Sequence, residues 1–349
     1  MLTPRLSALL AAALFGASTP LAKLLLGRVD PVPLAALLYL GSGLGLLALR
    51  ALWPGLVFGE APLRRNDWPW LVGAILAGGV AAPISLLYGL RHTPAATASL
   101  LLNFEGAATA LLAALVFREA VGRRTGWAVM AVTAASILLS WDPGGGWGLS
   151  WGAFGVLGAC ALWALDNNLT RNLSAKDPLA ITTVKGLGAG AFSLLLATAL
   201  RQPFPPWSTA LLALLLGSVS YGASIALFIG ALRSLGAART SALFGTAPFA
   251  GALLSLLLFQ EAPGVGFLAA ALLMSAGASL LLREDHAHPH RHAVLQHEHR
   301  HRHDDDGHHT HAHPEGALPA GGVHSHLHTH EQVEHTHPHA PDLHHRHGH

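Results

Sequence analysis

Ten runs of apolar residues follow one another in this chain, each meeting or approaching the length needed to cross a bilayer. They cover 6–26, 32–52, 68–90, 95–117 and 126–141, then 147–170, 179–200, 207–232, 237–259 and 264–282. A helix needs about 20 such residues to traverse the hydrocarbon core. Lipid offers the backbone no hydrogen-bond partner, so spanning segments of this kind are helices. The breaks between runs are short and carry turn-forming or charged residues: Asp30-Pro31, Arg64-Arg65-Asn66-Asp67, Asp142-Pro143-Gly144, Lys176-Asp177-Pro178 and Pro205-Pro206. Charged residues make up 11 % of the chain, far below the roughly 25 % of soluble domains. The expected fold is therefore all-α: a polytopic membrane protein with ten transmembrane helices, its main partner the lipid bilayer. The first run contains Pro20 and Lys23 and has no clean cleavage site, so it reads as a first transmembrane helix and not as a cleaved signal.

Lysine and arginine in the short loops set the orientation. With the N-terminus in the cytoplasm, Arg5, Arg50, Arg64, Arg65, Arg118, Arg123, Arg124, Arg171, Lys176, Arg233, Arg239 and Arg283 fall inside. Only Arg28, Arg91 and Arg201 fall outside. Both termini are expected in the cytoplasm, as in a bacterial-type inner membrane protein. A net charge of +2 with no basic face argues against a nucleic-acid partner. Cys160 is the sole cysteine, so there is no disulfide framework and no cysteine metal site; it reads as packing.

The chain also repeats itself. Ser99 to Glu119 aligns with Ser241 to Glu261 at an offset of 142, and Leu14-Phe15-Gly16 with Leu162-Trp163-Ala164 at an offset of 148. Five spans per half is an odd number, so the halves insert upside down relative to each other. Such inverted repeats imply alternating access around a midplane site. The organisation read from this is a first repeat over 1–141, a second over 147–282, and a tail over 283–349.

A basic residue late in the first helix and a small-residue fourth helix ending in Phe117-Arg118-Glu119 or Phe259-Gln260-Glu261 give this repeat its character. In these features the chain resembles the duplicated EamA domain of the drug/metabolite transporter superfamily over residues 6–282. The resemblance implies an inner-membrane exporter of amino acids, metabolites or toxic compounds that needs no cofactor. Pro248 occupies the proline place of the unit's fourth helix, where the first half has Gly106 beside Glu105. The halves therefore need not treat a substrate alike.

Ionisable groups deep in a span are costly and tend to face a cavity or a partner. Lys23, Glu105, Asp166, Arg171 and Lys185 are of this kind. With Asn103, Asn167 and Asn168 they are the candidates for substrate binding or proton coupling. Glu105 can exchange a proton, or can be fixed in an ion pair with Lys23 or Lys185. Asp166-Asn167-Asn168 offers donors and acceptors to a polar substrate, and Arg171 can equally snorkel to the interface. Trp163, Tyr88, Tyr221 and Phe104 are candidate cavity walls. Trp53, Trp68, Trp70, Trp141, Trp147, Trp151 and Trp207 fit an interfacial belt. No nucleophile–base pair, phosphate loop or dinucleotide fingerprint occurs, so an enzyme is not expected.

Residues 286–349 hold 23 of the 24 histidines. They lack the apolar groups that repay ordering, so the tail is expected to be disordered. Imidazole ligates Zn²⁺ and Ni²⁺. His297, His299, His301, His303, His308, His309, His311, His313, His324, His326, His328 and His330, in alternating runs, are the candidate ligands for weak binding of these ions. Three functions follow: a secondary-active exporter of small polar metabolites or drug-like compounds, a divalent-metal or metal-regulated transporter, and a membrane-anchored metal buffer or sensor. A small-molecule substrate is the expected partner; divalent ions and a second copy of the chain are further candidates. Reporter fusions after Leu282 and within residues 142–146 test the orientation. The first is expected to report cytoplasm and the second the outside, and an external C-terminus overturns the scheme.

Overall fold

The computed structural model describes residues 3–52, 61–116, 123–141, 150–173, 176–235 and 237–282, together with 287–291, 295–302, 323–330 and 334–338 of the tail. The chain up to 282 is helical. We number its helical rods α1 Pro4–Leu25, α2 Pro31–Leu52, α3 Arg65–Arg91, α4 Ala95–Leu115, α5 Arg123–Ser140, α6 Trp151–Thr170, α7 Pro178–Ala199 and α8 Trp207–Leu232. Two more follow: α9, made of Ala237–Phe244 and Ala247–Phe259, and α10 Val265–Leu282. Among them α1, α2, α3, α4, α7 and α8 are long and apolar enough to cross a membrane by length and composition alone, and the others are shorter apolar or less hydropathic helices. The architecture is that of an all-α polytopic membrane protein.

Local chemistry explains where several rods begin. Thr3 caps α1 by accepting from the Leu6 amide, and Pro4 supplies a first-turn residue that needs no N–H. Asp177 caps α7, accepting from the amides of Leu179 and Ala180 at 2.9 and 3.1 Å, and Pro178 follows it. Outward-facing leucines such as Leu195, Leu257 and Leu272 are largely exposed, as are Trp141, Trp151 and Trp207 near helix ends. Water would not tolerate so much apolar surface; lipid does. Trp53 and Trp147 of the expected belt lie outside the described residues.

The helices pack by a reciprocal rule. Helix α1 packs on α8 and α9, while α6 packs on α3 and α4. Helix α2 packs on α7 and α8, α7 also touches α3, and α5 lies against α10. Exchanging the first five helices with the last five leaves this scheme unchanged, as a two-fold relation between halves requires. Close approach depends on small residues. At the α2–α7 crossing, a Cβ on Gly186 would lie 2.8 Å from the amide nitrogen of Gly43. A buried apolar cluster that includes Leu34 and Leu38 of α2, Leu87 and Leu90 of α3 and Leu100 and Leu101 of α4 forms the core.

Two irregularities recur in both halves and were not apparent from the apolar pattern. Helices α3 and α8 each contain a π-helical turn of the same length, Ile75–Ala81 and Gly217–Ala223, spaced by the offset that aligns the repeats. Helices α4 and α9 are both broken near their middle, between Leu101 and Phe104 and between Phe244 and Ala247. Discontinuous helices and π-turns at membrane depth are features that line sites in transporters.

Four short segments of the tail are among the described residues. Ala287–Arg291 pairs antiparallel with Glu334–Pro338, and Leu295–Arg302 with Val323–His330. Alternating His-x-His sequence has the two-residue period of an extended strand, which explains why these segments can pair.

Candidate functional site

The C-terminal part of α6 presents Trp163, Asp166, Asn167 and Thr170 at the i, i+3, i+4, i+7 spacing of a single helix face. This face turns into a cavity of about 470 Å³, which also touches Phe15, Ser18 and Thr19 of α1, Tyr39 of α2, Glu105 of α4, Lys185 of α7 and Tyr221 of α8. Both halves of the chain contribute, and the cavity reaches Lys176 and Pro178 at the α6–α7 turn.

An ion pair sits at its centre. The Lys185 ammonium donates to both oxygens of Asp166, at 2.6 and 2.7 Å, and the Thr170 hydroxyl donates to Oδ1 at 2.9 Å. Side-chain exposure is 18 % for Lys185 and 8 % for Asp166. At such burial the pair exists only because each charge has the other, since the desolvation of either alone costs several kcal/mol. Gly78 in the π-turn of α3 makes room for it: a Cβ there would lie 1.9 Å from Asp166 Oδ2. The Gly78 carbonyl in turn accepts from Tyr39 Oη at 2.8 Å and Trp163 Nε1 at 2.9 Å. The π-turn thus joins α2, α3 and α6 at the site.

Glu105 faces the same cavity from α4, in the first turn of that helix's second segment. The helix N-terminus favours a negative charge there. Asn167 Nδ2 donates to its Oε1 at 2.9 Å and approaches Thr109 Oγ1 at 3.3 Å. A second lobe of about 440 Å³ extends from Glu105 towards α9, bounded by Asn103, Ser99, Ser241 and the rings of Phe15, Trp163, Phe228 and Phe244.

The sequence-derived candidates separate into groups. Glu105, Asp166, Asn167 and Lys185 converge on the cavity. Asn103 lines the second lobe, and its side-chain amide donates to the Leu100 carbonyl at 2.9 Å, a carbonyl that also accepts from the Asn103 backbone amide at the break in α4. Asn168 points the other way, buried, donating to the Ala164 carbonyl at 2.8 Å and towards that of Thr109 at 3.4 Å, so it fastens α6 to α4. Lys23 does not reach Glu105. Its ammonium donates to the carbonyls of Leu90 and Thr93 at the end of α3, next to the Asp30–Arg91 pair at 2.6 Å. It satisfies a helix C-terminus, where cations are favoured. Arg171 opens the short 3-10 turn after α6, away from the lining of both lobes. Trp163 and Tyr221 are walls as expected, whereas Tyr88 is exposed and Phe104 packs with Ala107 and Val129. Cys160 is buried packing.

Tyr39, Thr170 and the phenylalanines of α1, α8 and α9 carry no charge, and Gly78 reads in sequence only as a residue that lets helices approach. The alignment of Phe15 with Trp163 is the one clue that pointed to a second wall. Among the described residues no group of three or more His, Cys, Asp or Glu side chains converges as a metal site. His303, His308, His309, His311 and His313 lie outside the described residues. His297, His299 and His301 lie on one tail strand, opposite His328, His326 and His324 on the other.

The sequence pattern of the EamA-like transporter family matches residues 3–141 and again 150–283. The chain belongs to the EamA-like transporter family. An uncharacterized transporter of Methanothermobacter thermautotrophicus (strain Delta H) is 30 % identical over 272 residues, covering 73 % of this chain and 79 % of that protein. A solved crystal structure, of a protein given no fuller name, matches with a TM-score of 0.57 at 22 % identity. That match covers 78 % of this chain and 94 % of the other, and at this identity it speaks for the fold. This family member is a multi-pass membrane transporter whose setting is the lipid bilayer and whose partner is a small-molecule substrate.

Replacing Lys185 with Ala strands the Asp166 charge and is expected to cost about 3–5 kcal/mol. Thermal unfolding of the detergent-solubilised protein reads this as a lowered Tm. The double variant Lys185→Met with Asp166→Leu is expected to recover most of the loss. A single Lys185→Ala variant as stable as the parent overturns the pairing as a structural element.

Proposed function

We propose that this protein is a secondary-active exporter of small polar metabolites or drug-like compounds, with both termini in the cytoplasm of a bacterial-type inner membrane. The observation that carries the reading is a cavity shared by both halves and bounded by their broken fourth helices, with charged groups held inside it. The reciprocal packing of α1 on α8 and α6 on α3 supports two inverted five-helix repeats, 1–141 and 147–282, rocking about this cavity. No phosphate-binding motif is in the sequence, so the drive comes from an ion gradient rather than nucleotide hydrolysis. Glu105 is the group that exchanges the proton. Asp166 is locked to Lys185, whereas Glu105 is held by an amide that remains neutral whichever way the carboxyl stands. Protein in liposomes is expected to drive substrate flux with an imposed proton gradient. Glu105→Gln should abolish the coupling, lowering gradient-driven flux at least tenfold while leaving exchange at equilibrium. Unchanged gradient-driven flux in that variant removes Glu105 from the mechanism.

A second reading concerns the tail, which collects divalent metal and regulates or feeds the transporter. The backbone register that sets His297, His299 and His301 opposite His328, His326 and His324 favours it, because histidines at paired positions of two strands are close enough in register to share one ion. Binding requires neutral imidazole, whose pKa is about 6.5, so protons compete as pH falls. Calorimetry comparing the full chain with a chain ending at Leu282 is expected to show more than one additional Ni²⁺ or Zn²⁺ per molecule at pH 7.5. At pH 5.5 most of that difference should be gone. Less than one additional ion, or binding indifferent to pH, ends the metal reading.

A further inference from the structure

The lobe between α4 and α9 differs from the rest of the cavity in its charge. Among its lining residues Glu105 alone is ionisable. The cations nearest the site are already committed. Lys185 holds both oxygens of Asp166, and Lys176, at the α6–α7 turn, pairs with Asp67 at 3.5 Å. Glu105 has one hydrogen bond, from the neutral Asn167 amide, and no basic side chain donates to it among the described residues. Lys185 faces the same cavity, but Asp166 beside it answers its charge, so a carboxylate at Glu105 attracts a cation and repels an anion where little water screens it.

The walls reinforce that choice. Phe15 and Phe244 have ring centroids 5.4 Å apart, and Phe228 meets Phe244 edge-on at 4.8 Å. With Trp163 they form an aromatic lining beside the carboxylate. Aromatic faces attract cations within about 6 Å and also accommodate apolar groups. Ser99 in the lobe's lining is buried with an Oγ that has no hydrogen-bond partner among the described residues, which leaves a hydroxyl for a ligand or water to meet. The volume of about 440 Å³ is within the roughly 300–1,000 Å³ of small-molecule sites.

We propose that this lobe binds a small organic cation, an amine or quaternary ammonium carrying an apolar or aromatic group, with its charge at Glu105 and its apolar part against Phe15, Phe228 and Phe244. The inference rests on the transporter reading and narrows its substrate to a cationic amphiphile, as distinct from an anionic or strictly zwitterionic metabolite.

Equilibrium binding to the full-length protein in lipid nanodiscs tests it with matched probes. Radiolabelled 2-phenylethylammonium is the cation, and phenylacetate and L-phenylalanine serve as anionic and zwitterionic competitors. Saturable binding is expected, competed by unlabelled cation and at least tenfold less well by either competitor. Glu105→Gln is expected to weaken it at least tenfold. Glu105→Asp should retain part of it, and Phe244→Ala should weaken it without reversing the preference for the cation. Variants are compared only when their size-exclusion profile and Tm match the parent. Three results overturn the proposal: no saturable binding of 2-phenylethylammonium or tetraethylammonium, equal competition by phenylacetate, or binding unchanged by Glu105→Gln. Flux separates the two readings. Cation binding without any gradient-driven flux sinks the transporter and leaves the site, whereas driven flux of a zwitterion or anion with no cation binding sinks the site and leaves the transporter.

Discussion

In a low-dielectric interior a polar group has to be answered by another, and the arrangement of this protein follows from where those answers are found. The Asp166–Lys185 pair ties α6 to α7, and it forms because α3 comes close enough, at a residue without a side chain, to leave the carboxylate its space. The π-turn that carries Gly78 also offers a carbonyl to Tyr39 and Trp163, so α2, α3, α6 and α7 are fixed around one charged centre. A buried pair of this kind is poor evidence for net stability, since apolar residues of like volume often do as well. Its value is specificity. It ties α6 to α7 within the cavity and neutralises one of its two carboxylates, Asp166, while Glu105 has only a neutral amide as partner.

The broad fold was legible because lipid imposes a length and a composition that a sequence displays openly. The repeat was legible in the pairing of Phe15 with Trp163 and of Ser99 with Ser241. What the sequence withheld was the breaking of those helices. Ile75–Ala81 and Gly217–Ala223 are runs of mostly small residues inside longer apolar segments, and a π-turn changes hydrogen bonding without announcing itself in composition. Of the ionisable candidates, Asp166, Glu105 and Lys185 could be placed in the interior from their neighbours. Lys23 looked equivalent to them by depth, but its partners are backbone carbonyls at the end of α3, which no side-chain pattern announces. Asn168 sat beside Asp166 and Asn167 in sequence, yet one residue of helical rotation turns it about 100° away. Tyr39 and the three phenylalanines carried no charge to draw attention, although they form much of the wall.

Comparing the halves residue by residue exposes how the site acquired direction. At the offset that aligns the fourth helices, Glu105 corresponds to Ala247 and Asn103 to Gly245; at the offset of the first helices, Asp166 corresponds to Ser18 and Asn167 to Thr19. The carboxylates Glu105 and Asp166 come from α4 and α6, and their counterparts Ala247 and Ser18 are neutral and small. The two-fold relation seen in the packing of helices is therefore absent from the chemistry of the cavity. One side holds the ion pair and the carboxylate, and the other holds hydroxyls and the rings of Phe15, Phe228 and Phe244. The frame is symmetric in its packing, while a polarised cavity distinguishes the ends of a ligand. An amphipathic molecule would lie along that polarity, its charged end towards Glu105, and the same orientation would be kept whichever half moved.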